Sequence, residues 1–231
     1  MIKNILKFAI VSVAAVCLAA CSADNYDELT STITGNIQYQ GKNLNLCGTQ
    51  GATRLQLYQE GYELNTQAFT VYADQEGHFS CITGDGIYKL VTEDNVGPWV
   101  NKRDTTIVTL KGHTEVNIEV TPYFLIGDDA TARLDGNKLT VNYSVLKIVP
   151  DAEINNVTIN VGSTLLVDEW RNQIKFTIGA DDVKIGQNTV TEELTDVQLA
   201  VFKKYNKFTV RVGLRTKGAS NSIYSPLITV Y

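Results

Sequence analysis

The residues that could do chemistry are few: four cysteines, two histidines and two tryptophans in 231 residues. His78 and His113 each follow a glycine at an expected turn. Neither has a second histidine or a cysteine at ligand spacing, so the pattern does not support a zinc centre. No Gly-x-Ser-x-Gly elbow accompanies the serines, which leaves a Ser-His-Asp arrangement without a frame. The acidic pairs Asp128-Asp129, Asp181-Asp182 and Glu192-Glu193 are sequence neighbours, whereas a glycosidase needs carboxylates opposed across a cleft. No Asp-x-Asp-x-Asp-Gly calcium loop and no glycine-rich phosphate cradle is visible. These patterns favour a non-enzyme without metal or cofactor, with a hydrolase of unrecognised site as the weaker alternative. Binding chemistry is better represented. Trp170 sits among Asp168, Glu169, Arg171 and Asn172, and Trp99 beside Asn101, Arg103 and Asp104. An exposed indole can stack on a sugar ring while such neighbours bond its hydroxyls; the alternative is an indole closing a core, its N–H satisfied locally. Tyr62 and Tyr224, in expected loops, carry the same two readings.

The amino terminus has a chemistry of its own. Lys3 and Lys7 precede an apolar run from Phe8 to Leu18, broken by Ser12 and closed by small residues before Cys21. The run is shorter than the ~20 apolar residues a spanning helix needs, and its layout is that of an export signal. Leu18-Ala19-Ala20-Cys21 resembles the lipobox of bacterial lipoproteins, which implies cleavage after residue 20 and acylation of Cys21. Two or three acyl chains give stable membrane attachment. The tether Ser22-Ala23-Asp24-Asn25-Tyr26-Asp27-Glu28 resembles the acidic signal that sends lipoproteins of anaerobic gut commensals to the outer face of the outer membrane. A periplasm-facing anchor is the alternative. Cys47 and Cys81 then lie in an oxidising compartment. Cys81 shares strand parity with Phe79 and is expected to point inward. The pair is either a disulfide, contributing about 3–4 kcal/mol, or two separate buried thiols. The formal net charge of −5 becomes more negative once Lys3 and Lys7 are removed, and no basic stripe exists, which argues against nucleic acid.

The elements that position these residues are strands. Apolar residues alternate at Ile33, Ile37 and Tyr39; at Leu139, Val141, Tyr143 and Val145; at Val157, Ile159 and Val161; and at Phe208, Val210, Val212 and Leu214. Period two marks sheets with one buried face. Gln40-Gly41, Glu76-Gly77, Asp85-Gly86, Lys111-Gly112 and Asp135-Gly136 supply hairpin turns. Thr191 to Lys204 alone carries helical spacing and is read as one short helix. The expectation is an all-β protein of two tandem antiparallel β-sandwiches: signal 1–20, lipidated tether 21–29, and sandwiches over 30–122 and 123–231, divided near Thr121-Pro122-Tyr123-Phe124.

Thr34-Gly35-Asn36-Ile37, Asp74-Gln75-Glu76-Gly77-His78-Phe79 and Gly84-Asp85-Gly86-Ile87-Tyr88-Lys89-Leu90 make the first unit resemble a carboxypeptidase-regulatory or transthyretin-like sandwich. Phe208-Thr209-Val210-Arg211-Val212, Gly218-Ala219-Ser220 and Ser225-Pro226 make the second resemble a fibronectin type III sandwich. Leu57-Tyr58-Gln59-Glu60-Gly61-Tyr62-Glu63-Leu64-Asn65-Thr66, Gly97-Pro98-Trp99-Val100-Asn101 and Val120-Thr121-Pro122-Tyr123-Phe124 extend a similarity, over the whole mature chain, to an uncharacterised family of surface lipoproteins of gut commensals. That resemblance implies company rather than a reaction: an outer-membrane receptor complex for glycan uptake. Asp104-Thr105-Thr106 also partly fits the O-glycosylation pattern of these commensals, at Thr105. The expected function is a non-catalytic accessory lipoprotein contacting glycan or the receptor; the alternative is a spacer with no ligand.

Overall fold

The computed structural model describes residues 28–49, 52–61 and 67–230; the expected signal segment, Cys21 and Tyr62 lie outside the described residues. Alternation becomes packed sheets. The first half supplies β1 (Ser31–Tyr39), β2 (Lys42–Asn43), β3 (Arg54–Gln59), β4 (Phe69–Tyr72), β5 (His78–Thr83), β6 (Gly86–Thr92), β7 (Thr106–Leu110), β8 (His113–Glu115) and β9 (Ile118–Glu119). One sheet runs β2-β1-β5, with β8 and β9 also on β1, and the other runs β4-β3-β6-β7. Pairing is antiparallel except that β8 and β9 run parallel to β1. Ile33, Ile37, Leu55, Leu57, Val71, Tyr88, Leu90, Val108 and Leu110 fill the space between. Gly35 sits where strands crowd: a Cβ there would stand 1.7 Å from the Val116 carbonyl oxygen and 2.7 Å from the Phe79 ring.

The second half supplies β10 (Phe124–Ile126), β11 (Thr131–Asp135), β12 (Lys138–Lys147), β13 (Ile154–Gly162), β14 (Ile174–Gly179), β15 (Gly186–Glu193), helix α1 (Asp196–Tyr205), β16 (Phe208–Thr216), β17 (Ile223–Tyr224) and β18 (Ile228–Val230). Its sheets are β10-β12-β11 with β15 on β12, and β14-β13-β16-β17 with β18 on β16. The fold is all-β, of tandem sandwiches, as the period-two pattern predicts. No helix among the described residues is long and apolar enough to cross a membrane.

Two local expectations change. The helix starts after Thr195 rather than at Thr191, because Thr191 to Glu193 complete β15 against Lys138 to Thr140 of β12. Thr195 then caps it, its hydroxyl accepting from the Gln198 N–H while the Gln198 side chain accepts from Thr195 N–H at 2.9 Å. At Asp85-Gly86, Gly86 needs no positive φ and opens β6. Its partner does the work: the Asp85 carboxylate accepts from Ser31 Oγ and from Gly112 N–H, tying three connections together.

β16 departs furthest from simple alternation. Phe208, Val210, Val212 and Leu214 enter the core, yet Thr209, Arg211 and Gly213 on the opposite face are buried too. So are Thr158 and Asn160 on neighbouring β13. The first sandwich's connections cover that face. Arg211 is 1% exposed. Its Nη1 donates to the Leu46 carbonyl at 2.9 Å, Nη2 to the Gln75 carbonyl at 2.7 Å, and Nε to the Ser225 carbonyl at 3.1 Å. The Tyr224 ring lies 4.6 Å beneath the guanidinium. Tyr224 N–H bonds the Asn45 carbonyl, Ser220 N–H the Asn95 carbonyl, and Asn221 Nδ2 the carbonyls of Ala52 and Val96. A buried cation is tolerated only when hydrogen-bonded, and here three carbonyls do that. Arg211→Met keeps the bulk and strands those carbonyls. It should cost about 3 kcal/mol and lower the urea midpoint; an unchanged midpoint would show that the seam does not rest on this residue.

Candidate functional site

The loop from 163 to 173 joins β13 to β14 along this seam, and one buried carboxylate shapes it. Asp168 is 0% exposed. Its Oδ1 accepts from Trp170 N–H and Arg171 N–H, both at 2.9 Å, a local turn in which an aspartate organises the backbone after it. Its Oδ2 reaches across to the first sandwich, accepting from Thr49 N–H at 3.0 Å and Thr49 Oγ1 at 2.6 Å. Asn172 Nδ2 braces the turn by donating to the carbonyls of Asp168 and Glu169. Glu169 pairs with Arg215, and its N–H meets the Tyr224 hydroxyl at 3.3 Å.

Held on this loop, Trp170 is 65% exposed. An indole left that open forgoes burial worth on the order of 2 kcal/mol. It borders a cavity of about 410 Å³ whose other walls are Thr49, Ala52, Arg54 and Val96 of the first sandwich and Ser220 and Asn221 of the second. Arg54 grips Glu93 with Nε at 2.5 Å and Nη2 at 2.9 Å. That fork holds the Glu93 carboxyl below its ordinary range and raises the guanidinium of Arg54. Chemically the cavity offers one aromatic face, hydroxyl and amide groups, and the Arg54 guanidinium already paired with Glu93.

Other candidates fall elsewhere. Trp99 is a core residue, 1% exposed, its backbone bridged to Pro122 and its indole lying where a Cβ on Gly97 would stand 2.1 Å away. Tyr224 is likewise 1% exposed and serves the seam, so neither can stack on a ligand. A Cys47–Cys81 disulfide does not form; both thiols are free. Cys47 is drawn to the seam beside Asp168 and Tyr224, where burial pushes its pKa up to about 12, whereas Cys81 stays on β5 packed at the edge of the first core, its own pKa raised by burial. Thr105 is exposed just before β7. Asp74, Glu76 and His78 gather their ligand atoms within 4.8 Å on an exposed turn, a set that a search for paired histidines or cysteines misses. Asp74 Oδ1 is already engaged by the N–H groups of Glu76 and His78. An open depression of about 750 Å³ beside this turn is lined by Tyr72, itself 49% exposed.

Fold and site together define a two-sandwich module whose cavity is built from both halves. The chain belongs to the DUF3823 family. The family's N-terminal domain, a protein of unknown function, matches residues 31–121, and its C-terminal domain of unknown function matches residues 126–228. A DUF3823 family protein from Parabacteroides merdae ATCC 43184 is 38% identical, covering 89% of this chain and 100% of that one with a TM-score of 0.81. Another from Bacteroides ovatus ATCC 8483 is 30% identical over 87% and 98%, with a TM-score of 0.75. The fold extends to a Bacteroides uniformis ATCC 8492 structure described as "a putative carbohydrate binding protein", 15% identical over 87% and 99%, TM-score 0.69. No curated protein matches the chain.

Two measurements check this geometry. Alkylation of the unreduced protein should modify both Cys47 and Cys81 once it is unfolded and spare Cys47 while it is native; failure of either thiol to react when unfolded would restore the disulfide. The lowered Glu93 pKa means its contribution to stability is complete above the ordinary carboxylate range and is lost as pH falls through the lowered value. Glu93→Gln should therefore flatten the acid limb of a melting-temperature profile, and an unaltered limb would deny the pair that role.

Proposed function

We propose that this protein is a non-catalytic, lipid-anchored accessory of a glycan-uptake system, and that its glycan contact is the cavity beside Trp170. One observation carries the reading: an indole 65% exposed, on a loop locked by a buried aspartate, beside a cavity with polar walls. Rigid aromatic surface is what sugar recognition rewards, because stacking on a pre-positioned ring costs little conformational entropy. The name of the Bacteroides uniformis structure, which shares the fold, is consistent with that chemistry. The same proposal has acylated Cys21 attach the protein to the outer membrane, facing outward; what supports it is the resemblance of Leu18-Ala19-Ala20-Cys21 to a lipobox and of the acidic tether to a surface-export signal. Association with an outer-membrane receptor belongs to the same proposal.

Affinity electrophoresis and calorimetry of the mature protein against a panel of glycans test it. Trp170→Ala should weaken binding at least about tenfold, equivalent to about 1.4 kcal/mol of stacking. Tyr72→Ala, in the other depression, should leave it unchanged. Binding that ignores Trp170 would move the site, and absence of binding to any glycan would favour a spacer without a ligand.

A further inference from the structure

Resting on that reading, we infer that the seam cavity takes an uncharged sugar ring, with Trp170 of the second sandwich as platform and Arg54 of the first as the residue that reads its hydroxyls. The inference comes from charge balance. Arg54 is the charged residue among the described cavity walls, and its charge is spent on Glu93 through two parallel bonds. The side chains of this pair are 37% and 26% exposed.

A carboxylate or sulfate group entering here would either share the guanidinium with Glu93 and meet that carboxylate's charge, or pull Arg54 away and leave Glu93 uncompensated. A cation would have to displace Arg54 from the same fork. A hydroxyl requires neither: its oxygen accepts from a guanidinium whose charge stays balanced, and its proton can go to a neighbouring acceptor. The second acid near the cavity is equally withdrawn. Asp168 is wholly buried, with two donors on each oxygen, and leaves neither oxygen open to a ligand. Ser220 and Thr49 add neutral hydroxyls to the walls. The volume, about 410 Å³, is toward the small end of ligand sites, and Trp170 is the aromatic on the walls, so one ring stacks.

The site is also composite. Trp170 and Arg54 come from different sandwiches, and the contact that fixes Trp170, Asp168 with Thr49, crosses between them.

Calorimetry of the mature protein with neutral oligosaccharides, and with counterparts carrying uronic acid or sulfate on the same linkages, tests this. Neutral ligands should bind, with affinity changing less than about twofold between about 0.05 and 1 M salt. Arg54→Met should weaken them about tenfold. Arg54→Lys, which keeps the charge and loses the fork, should weaken them too, with an unchanged near-ultraviolet circular dichroism spectrum showing that the fold is intact. A Trp170-dependent preference for the acidic glycans, falling about tenfold over the same salt range, would overturn the ligand class while leaving the site in place. Neutral binding indifferent to both Arg54 substitutions would overturn its role. Loss of all Trp170-dependent binding would overturn this inference together with the reading beneath it.

Discussion

Everything at the seam depends on a guanidinium held by three backbone carbonyls. Burial lowers the pKa of Arg211, while the Tyr224 hydroxyl and the carboxylates of Glu76 and Asp168 act in the opposite direction. Its solvation comes from the carbonyls of Leu46, Gln75 and Ser225 and the face of Tyr224. Two of those carbonyls belong to the first sandwich, so the cation is satisfied only when the sandwiches are docked. An apolar residue there would permit sliding; a cation with directional donors sets one register. A buried ionic group used for uniqueness rather than for net stability is a known device, and here it joins two halves of one chain.

Asp168 extends the same logic to the surface. One of its oxygens organises the turn that carries Trp170, and the other holds Thr49 of the facing sandwich. The position of the exposed indole is thus tied to the docking that Arg211 stabilises. Asn221 closes the arrangement from the other side, its amide spanning the carbonyls of Ala52 and Val96. Cavity walls drawn from both halves are the geometric outcome.

Much of the fold was legible because period two is a strong local signal. Ile33 and Ile37, or Leu139, Val141, Tyr143 and Val145, announce both a strand and its buried face, and the structure buries all of them. The turns at Gln40-Gly41 and Asp135-Gly136 adopt the positive φ that glycine makes inexpensive. Less was legible at the site. Trp99 and Trp170 both stand among polar neighbours in the sequence, yet one is sealed in a core and the other stands open. Local composition cannot separate them, since what decides is whether a second layer lies over the loop. The cysteines were ambiguous for a similar reason: parity states which way a thiol points, not which strand end meets which.

What the sequence determined by itself was therefore local: strands, most turns, the presence of one short helix, the all-β class, and the family likeness those patterns carry. The expectation of an acylated Cys21 also rests on sequence alone, its residues lying outside those described. The tertiary structure decided what alternation cannot encode. The face of β16 bearing Thr209, Arg211 and Gly213 reads as solvent-facing, but the first sandwich covers it, and a polar residue on a strand looks the same in sequence whether water or a distant carbonyl satisfies it. Burial is a property of the whole chain, and only the docking of the two sandwiches assigns Arg211 to the interior and Trp170 to the surface.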